Sequence, residues 1–162
     1  MTAGSSSLSL DRILGELASA LGVDELSADE NNLAGLNFSG MDVLLFWVAE
    51  ENAFLFCSTL DEMQKHKVPL AQLYEKLLTM NHLMVGQSHS CLGLADGNIT
   101  LSLYCPVEEP FSVQQVGESL LAFVGDALEM EGTLVKWAAE TESREVAGGS
   151  AFREDVDPTA LA

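Results

Sequence analysis

The sequence predicts an α+β protein with a largely antiparallel, twisted sheet flanked by helices. Three observations carry that prediction. Amphipathic stripes lie near both ends of the chain and once in its middle, and short apolar runs fall between them in turn-linked groups. The resulting order is helix, three strands, helix, two strands, helix, and helices that interrupt groups of hairpin-connected strands define the α+β class.

The first helix follows from Leu10, Ile13, Leu14, Leu17, Ala18 and Leu21, which repeat at the spacing of one helical face. Ser7 or Ser9 can cap its start, and Gly22 is placed to stop it. An acidic, turn-like stretch (23–32) leads to a weak strand, 33–38, and a turn at Ser39-Gly40. Val43–Ala49 reads as the second strand, and Glu50-Glu51-Asn52 connects it to a third apolar run, 53–60. Both of these runs are apolar at nearly every position. Such strands are expected to be covered on both faces, by helices, a partner subunit or a ligand.

Pro69 suits the first turn of a helix over 69–83, with Leu70, Leu73, Tyr74, Leu77 and Leu78 on one side. Met80 and Met84 widen the apolar arc beyond one packing face, which suggests a second buried face, most simply a dimer contact. Strands over 87–94 and 98–105 follow, joined through Asp96-Gly97, a pair that suits a type I′ turn. In the second of them Ile99, Leu101 and Leu103 alternate with Thr100, Ser102 and Tyr104, so one of its faces is wetter. Ser112 with Gln115 opens the last helix as a capping box. Its stripe extends from Val113 toward Ala138, with Gly132 as a site for a break. The expected organisation is a disordered leader at 1–7, one domain over 8–139 and an acidic disordered tail at 140–162.

Composition narrows the function. With 162 residues, 48% of them hydrophobic, the chain can bury a real core without disulfides or metal. Its longest apolar run, Val43–Ala49, is far short of the roughly 20 residues that cross a bilayer. The N-terminus carries no basic residue before Arg12 and does not resemble a signal peptide, so a cytoplasmic setting is expected. A net charge of −18 makes nucleic acid and anionic membrane poor partners. The same charge favours solubility and attracts basic segments of other proteins. Cys57, Cys91 and Cys105 are an odd set without C-x-x-C spacing, expected to be buried structural thiols.

The stretch Leu77-Leu78-Thr79-Met80-Asn81-His82-Leu83 and the segment Cys91-Leu92-Gly93-Leu94-Ala95-Asp96-Gly97-Asn98-Ile99-Thr100-Leu101 resemble the class I type III secretion chaperones, the family typified by the Tir chaperone. The amphipathic first helix and the last helix, with Leu120, Phe123, Val124 and Trp137, fit the same pattern, so the resemblance covers about residues 8–139. Ser88-His89-Ser90, where family members often carry small residues, and the acidic tail depart from it. The resemblance implies a cytoplasmic homodimer that binds an extended N-terminal segment of a secreted effector, using neither nucleotide nor metal. The secretion ATPase is a further partner on this reading. Client contacts are expected at Leu10, Leu14 and Leu17 on the first helix and at Leu33, Leu36 and Phe38 on the first strand. They continue through Val43, Leu45, Trp47, Phe54 and Phe56 on the next hairpin. The competing reading is that each of these packs the domain's own core. Leu73, Leu77, Met80 and Met84 on the middle helix are expected at the dimer interface.

An enzyme would need a nucleophile, a base and a group to orient them. His89-x-Cys91 places two such side chains on one strand face, too few for a metal site, and no catalytic motif is present. His82 suits the end of its helix, and Glu50-Glu51 and Glu108-Glu109 suit solvated turns. Two alternatives remain: an adaptor or regulatory protein of the same fold without a secreted client, and a thiol or metal protein.

Overall fold

The computed structural model describes residues 9–84, 89–108 and 110–151. The expected leader, residues 1–7, and the last part of the expected tail lie outside them. Helix α1 spans Leu10–Leu21, and strands β1, β2 and β3 span Leu33–Phe38, Met41–Val48 and Ala53–Thr59. A 3-10 turn, Asp61–Lys65, leads to helix α2, Leu70–Met84. Strands β4 (Ser90–Ala95) and β5 (Asn98–Pro106) precede helix α3, Val113–Ala151. The five strands form one antiparallel sheet in the order β1-β2-β3-β5-β4, so β1 and β4 are its edges.

Local chemistry accounts for the boundaries. Ser9 caps α1 by accepting the Arg12 N–H at 3.4 Å. Gly22 ends the helix in the left-handed region, φ +70°, while the Val23 N–H reaches back to the Ala18 carbonyl. Asp29 shapes the entry to β1, its Oδ1 accepting the N–H groups of Asn31 (2.8 Å) and Leu33 (3.0 Å). Both central residues of the Ser39-Gly40 and Asp96-Gly97 turns have positive φ, the backbone twist that tight hairpins need.

The core lies between one face of the sheet and helices α1 and α3. Val43, Leu45 and Trp47 of β2 meet Phe54 and Phe56 of β3 there, all buried, and Ile13, Leu14 and Leu17 of α1 close over them with Leu120 and Phe123 of α3. An aromatic chain runs through this core from Trp47 to Phe54, Phe56 and Phe123, with ring centroids 4.8–6.0 Å apart.

Helix α3 differs from expectation. It continues unbroken past Gly132 and runs to Ala151, where a disordered tail was expected from residue 140. The reason is visible in its contacts. Leu134 and Ala138 are fully buried, and Glu142 is tied to His66 and Lys67, so the helix packs against the body of the protein as far as Glu142.

Candidate functional site

Residues paired across an antiparallel sheet share a face, so the register sorts every strand residue into core or open side. On the side away from α1 and α3, one row runs Leu33, Phe46, Leu55, Tyr104 across β1, β2, β3 and β5. The next row runs Gly35, Leu44, Cys57, Ser102, Cys91 across all five strands. Leu44 is 44% exposed, Phe46 39% and Tyr104 44%, and Leu33, Leu55 and Cys57 are half-buried. This is a contiguous apolar band without a helix over it among the described residues.

Polar groups border the band. At one end Asn37 donates to Asp42 at 2.6 Å, and at the other the Tyr104 hydroxyl donates to Glu51 at 2.6 Å. Glu51 thereby raises the Tyr104 pKa. Asp29 stands at the start of β1, its carboxyl held below its ordinary range by the Leu33 and then the Asn31 N–H.

The two sheet edges are finished differently. Asn81 of α2 closes β4: its Nδ2 donates to the Leu92 carbonyl (2.8 Å) and its Oδ1 accepts the Leu92 N–H (2.7 Å). On β1, Asp29 occupies both backbone groups of Leu33, accepting its N–H and donating to its carbonyl at 2.9 Å. Alternation of the ladder then turns the N–H and C=O of Gly35 and Asn37 toward the open side of β1.

The structure redistributes the residues expected from sequence. Val43, Leu45, Trp47, Phe54, Phe56, Leu14 and Leu17 pack the protein's own core, because they point to the helix side of the sheet. Leu36 and Phe38 also face inward and are half-buried, as is Leu10 on α1; Leu33 alone of the expected strand residues lies on the open face. Sequence reading missed Leu44, Phe46, Leu55 and Tyr104. On α2, Leu77, Met80 and Met84 are buried within the protomer and Leu73 is half-buried, so they form its inward stripe. The second apolar face is instead Leu70 (64% exposed), Tyr74 and Leu78 (70%), spaced four apart, with Leu83 beyond.

The cysteines are only partly as expected. Cys105 is buried, Cys57 half-buried, and Cys91 exposed on the open face opposite Ser102. Burial raises the pKa of Cys57 and of Cys105, in the latter against a hydrogen bond from Ser119, so neither is an activated thiol. Among the described residues no group of three or more His, Cys, Asp or Glu side chains could hold a metal, and no helix is long and apolar enough to cross a membrane.

Comparison with known proteins fits this arrangement. The Tir chaperone protein (CesT) family model matches residues 12–129, and the chain belongs to that family. The fold is that of type III secretion chaperones, and membership places the chain with chaperones and adaptors rather than enzymes. The crystal structure of the ExsC-ExsE complex contains a similar chain: TM-score 0.60 at 20% identity, covering 80% of this chain and 92% of that one. The HopA1-SchA chaperone-effector complex gives 0.59 at 16% identity, covering 83% and 99%. The Yersinia pestis type III secretion chaperone SycH, in complex with a fragment of YscM2, gives 0.55 at 20% identity, covering 75% and 98%. No curated protein sequence matches significantly.

Proposed function

We propose that this protein is a cytoplasmic secretion chaperone that holds an extended N-terminal segment of a type III secreted effector against the open face of its sheet. The observation that carries the reading is the uncovered apolar band of Leu33, Leu44, Phe46, Leu55 and Tyr104 beside an open β1 edge. Gly35 and Asn37 offer backbone pairing to a client strand, while the band takes its apolar side chains. Asp42 and Glu51 border the band, and the chain's charge of −18 favours a client with basic residues around its apolar ones. The similar chaperone-effector complex supports the same class of partner. Exposed Leu70, Tyr74 and Leu78 on α2 support self-association through that helix, in place of the buried residues first expected there. The secretion ATPase stays a proposed partner on family grounds alone.

The test is to express the tagged protein in its source bacterium, purify it gently, and identify what co-purifies together with the native mass. Two copies with one larger secreted protein, bound through its N-terminal region, are expected. Leu44→Asp with Phe46→Asp should weaken that complex at least about tenfold, because each side chain buried at an interface contributes roughly 1.5–3 kcal/mol. Far-UV circular dichroism should be unchanged. Retention of the partner by the folded double variant would remove the open face from consideration. Recovery of a cytosolic regulator instead would favour an adaptor of the same fold.

A further inference from the structure

Helix α3 continues for 22 residues beyond the family match, from Met130 to Ala151. Over this stretch the buried stripe of Val116, Leu120, Phe123 and Ala127 continues, now flanked by carboxylates. Glu131, Leu134, Ala138 and Glu142 fall at spacings of three and four, so they line one face over about three turns. Leu134 and Ala138 are fully buried. The two carboxylates at its ends grip the connector between β3 and α2. Glu131 accepts the Glu62 N–H at 2.8 Å, at the start of the 3-10 turn. Glu142 accepts the Lys67 N–H at 2.6 Å and lies 3.1 Å from His66 Nδ1. Only Val68 and Pro69 separate this second tie from the first residue of α2. Lys76 of α2 also stands over the Trp137 ring, 5.9 Å from its centroid.

Two amides at opposite ends of one connector are thus held by one face of a single helix. Neither amide is paired within α2 or within a strand, so the ties do not stabilise α2 internally; they fix where it begins. We propose that the far half of α3 is a strut, with Glu131 and Glu142 as positioning residues, which sets the placement of α2 and so the strength of self-association through Leu70, Tyr74 and Leu78. The second half of that statement rests on the self-association face proposed above; the first does not. The strut lets two carboxylates of α3 act on an assembly surface to which they do not themselves belong.

The test uses the full chain carrying Glu131→Ala and Glu142→Ala together, followed by residue-resolved hydrogen exchange and sedimentation. Loss of a hydrogen bond to a charged acceptor should speed exchange of the Glu62 and Lys67 amides at least about tenfold. The decisive readout is α2: its amides from Leu73 to Leu77 should exchange several-fold faster, while those of β3 and β5 are unchanged. Glu142→Gln keeps an acceptor for Lys67 and should restore most of the protection. Unchanged α2 amides, or equal loosening of β3 and β5, would overturn the strut. Self-association should weaken several-fold in the double variant and be lost in Leu78→Asp. If Leu78→Asp abolishes association but the double variant leaves it intact, the strut does not govern assembly and the proposal fails. If α2 loosens and neither variant moves association, the strut stands and the α2 face is the part that was wrong.

Discussion

The two faces of β2 are made of nearly the same amino acids and have opposite fates. Val43, Leu45 and Trp47 are buried against α1 and α3, while Leu44 and Phe46, one residue along in each case, stand in the open. Hydrophobicity does not distinguish them; the parity of the strand and the side on which the helices close do. The inner face therefore holds the protein together, and the outer face is free to hold something else. An apolar band left open on an otherwise strongly acidic surface is more readily explained by a partner than by the protomer's own stability.

The sharpest way to break this comparison is to truncate one aromatic on each face. Phe56→Ala removes a ring packed between Phe54 and Phe123 and should cost about 3–5 kcal/mol in urea unfolding. Phe46→Ala should cost clearly less, about 1 kcal/mol, since more than a third of the residue already meets water and its removal leaves no enclosed cavity. Equal losses would mean that the outer face is packed in solution, by a second copy or by another segment. A smaller effect is expected at the closed edge. Asn81→Ala strands both backbone groups of Leu92, and should destabilise by about 1–3 kcal/mol with faster exchange of the Leu92 amide.

The smallest effect is that of acid on the ties outside the sheet. The hydrogen bond to His66, and then that from the Lys67 N–H, hold the Glu142 carboxyl below its ordinary range; the charges of His66 and Lys67 act in the same direction. A lowered carboxyl contributes fully above its unfolded value and loses that contribution as pH falls through its native value. Thermal scans from pH 7 to pH 3 should therefore show a modest extra loss at the acid end. Glu142→Gln should reduce it, and an identical pH profile in that variant would show that the tie contributes nothing in solution.

Most of the fold was legible because its local signals agreed. The α1 stripe with Ser9 and Gly22, the Asp-Gly turn and the alternation of β5 each specify one element, and each lies where its pattern placed it. The site was less legible because β2 and β3 are apolar on both sides, so their own composition cannot say which residues face inward. Ser58 is even misleading: a buried hydroxyl on the core face, satisfied by the Asp42 carbonyl at 2.9 Å. A usable signal lay one strand further on. The Thr100, Ser102, Tyr104 side of β5 is the wetter one, and pairing carries that parity through Leu55 and Cys57 to Phe46 and Leu44. On α2 the apolar residues span a wide arc, and which of them meet the core depends on Asn81 docking on β4, which turns Leu77, Met80 and Met84 inward and leaves Leu70, Tyr74 and Leu78 outside. The far half of α3 was hidden for another reason. Its acidic, small-residue composition resembles a tail, and only the ties to Glu62, His66 and Lys67 show it to be a packed helix.

The unequal finish of the two edges has a consequence for what the sheet can become. Strand pairing is self-propagating whenever both margins of a sheet are free, since each added strand presents a new margin to the next copy. Here one margin is stopped at Leu92 by a side-chain amide that mimics a neighbouring backbone. The other is shortened by Asp29 to the two positions Gly35 and Asn37. The backbone groups of Leu92 on β4 and of Leu33 on β1 are thereby withheld from a neighbouring copy, which shortens the stretch either edge offers to it. If the open face holds a client as proposed, Gly35 and Asn37 are the two places on β1 where its backbone can pair.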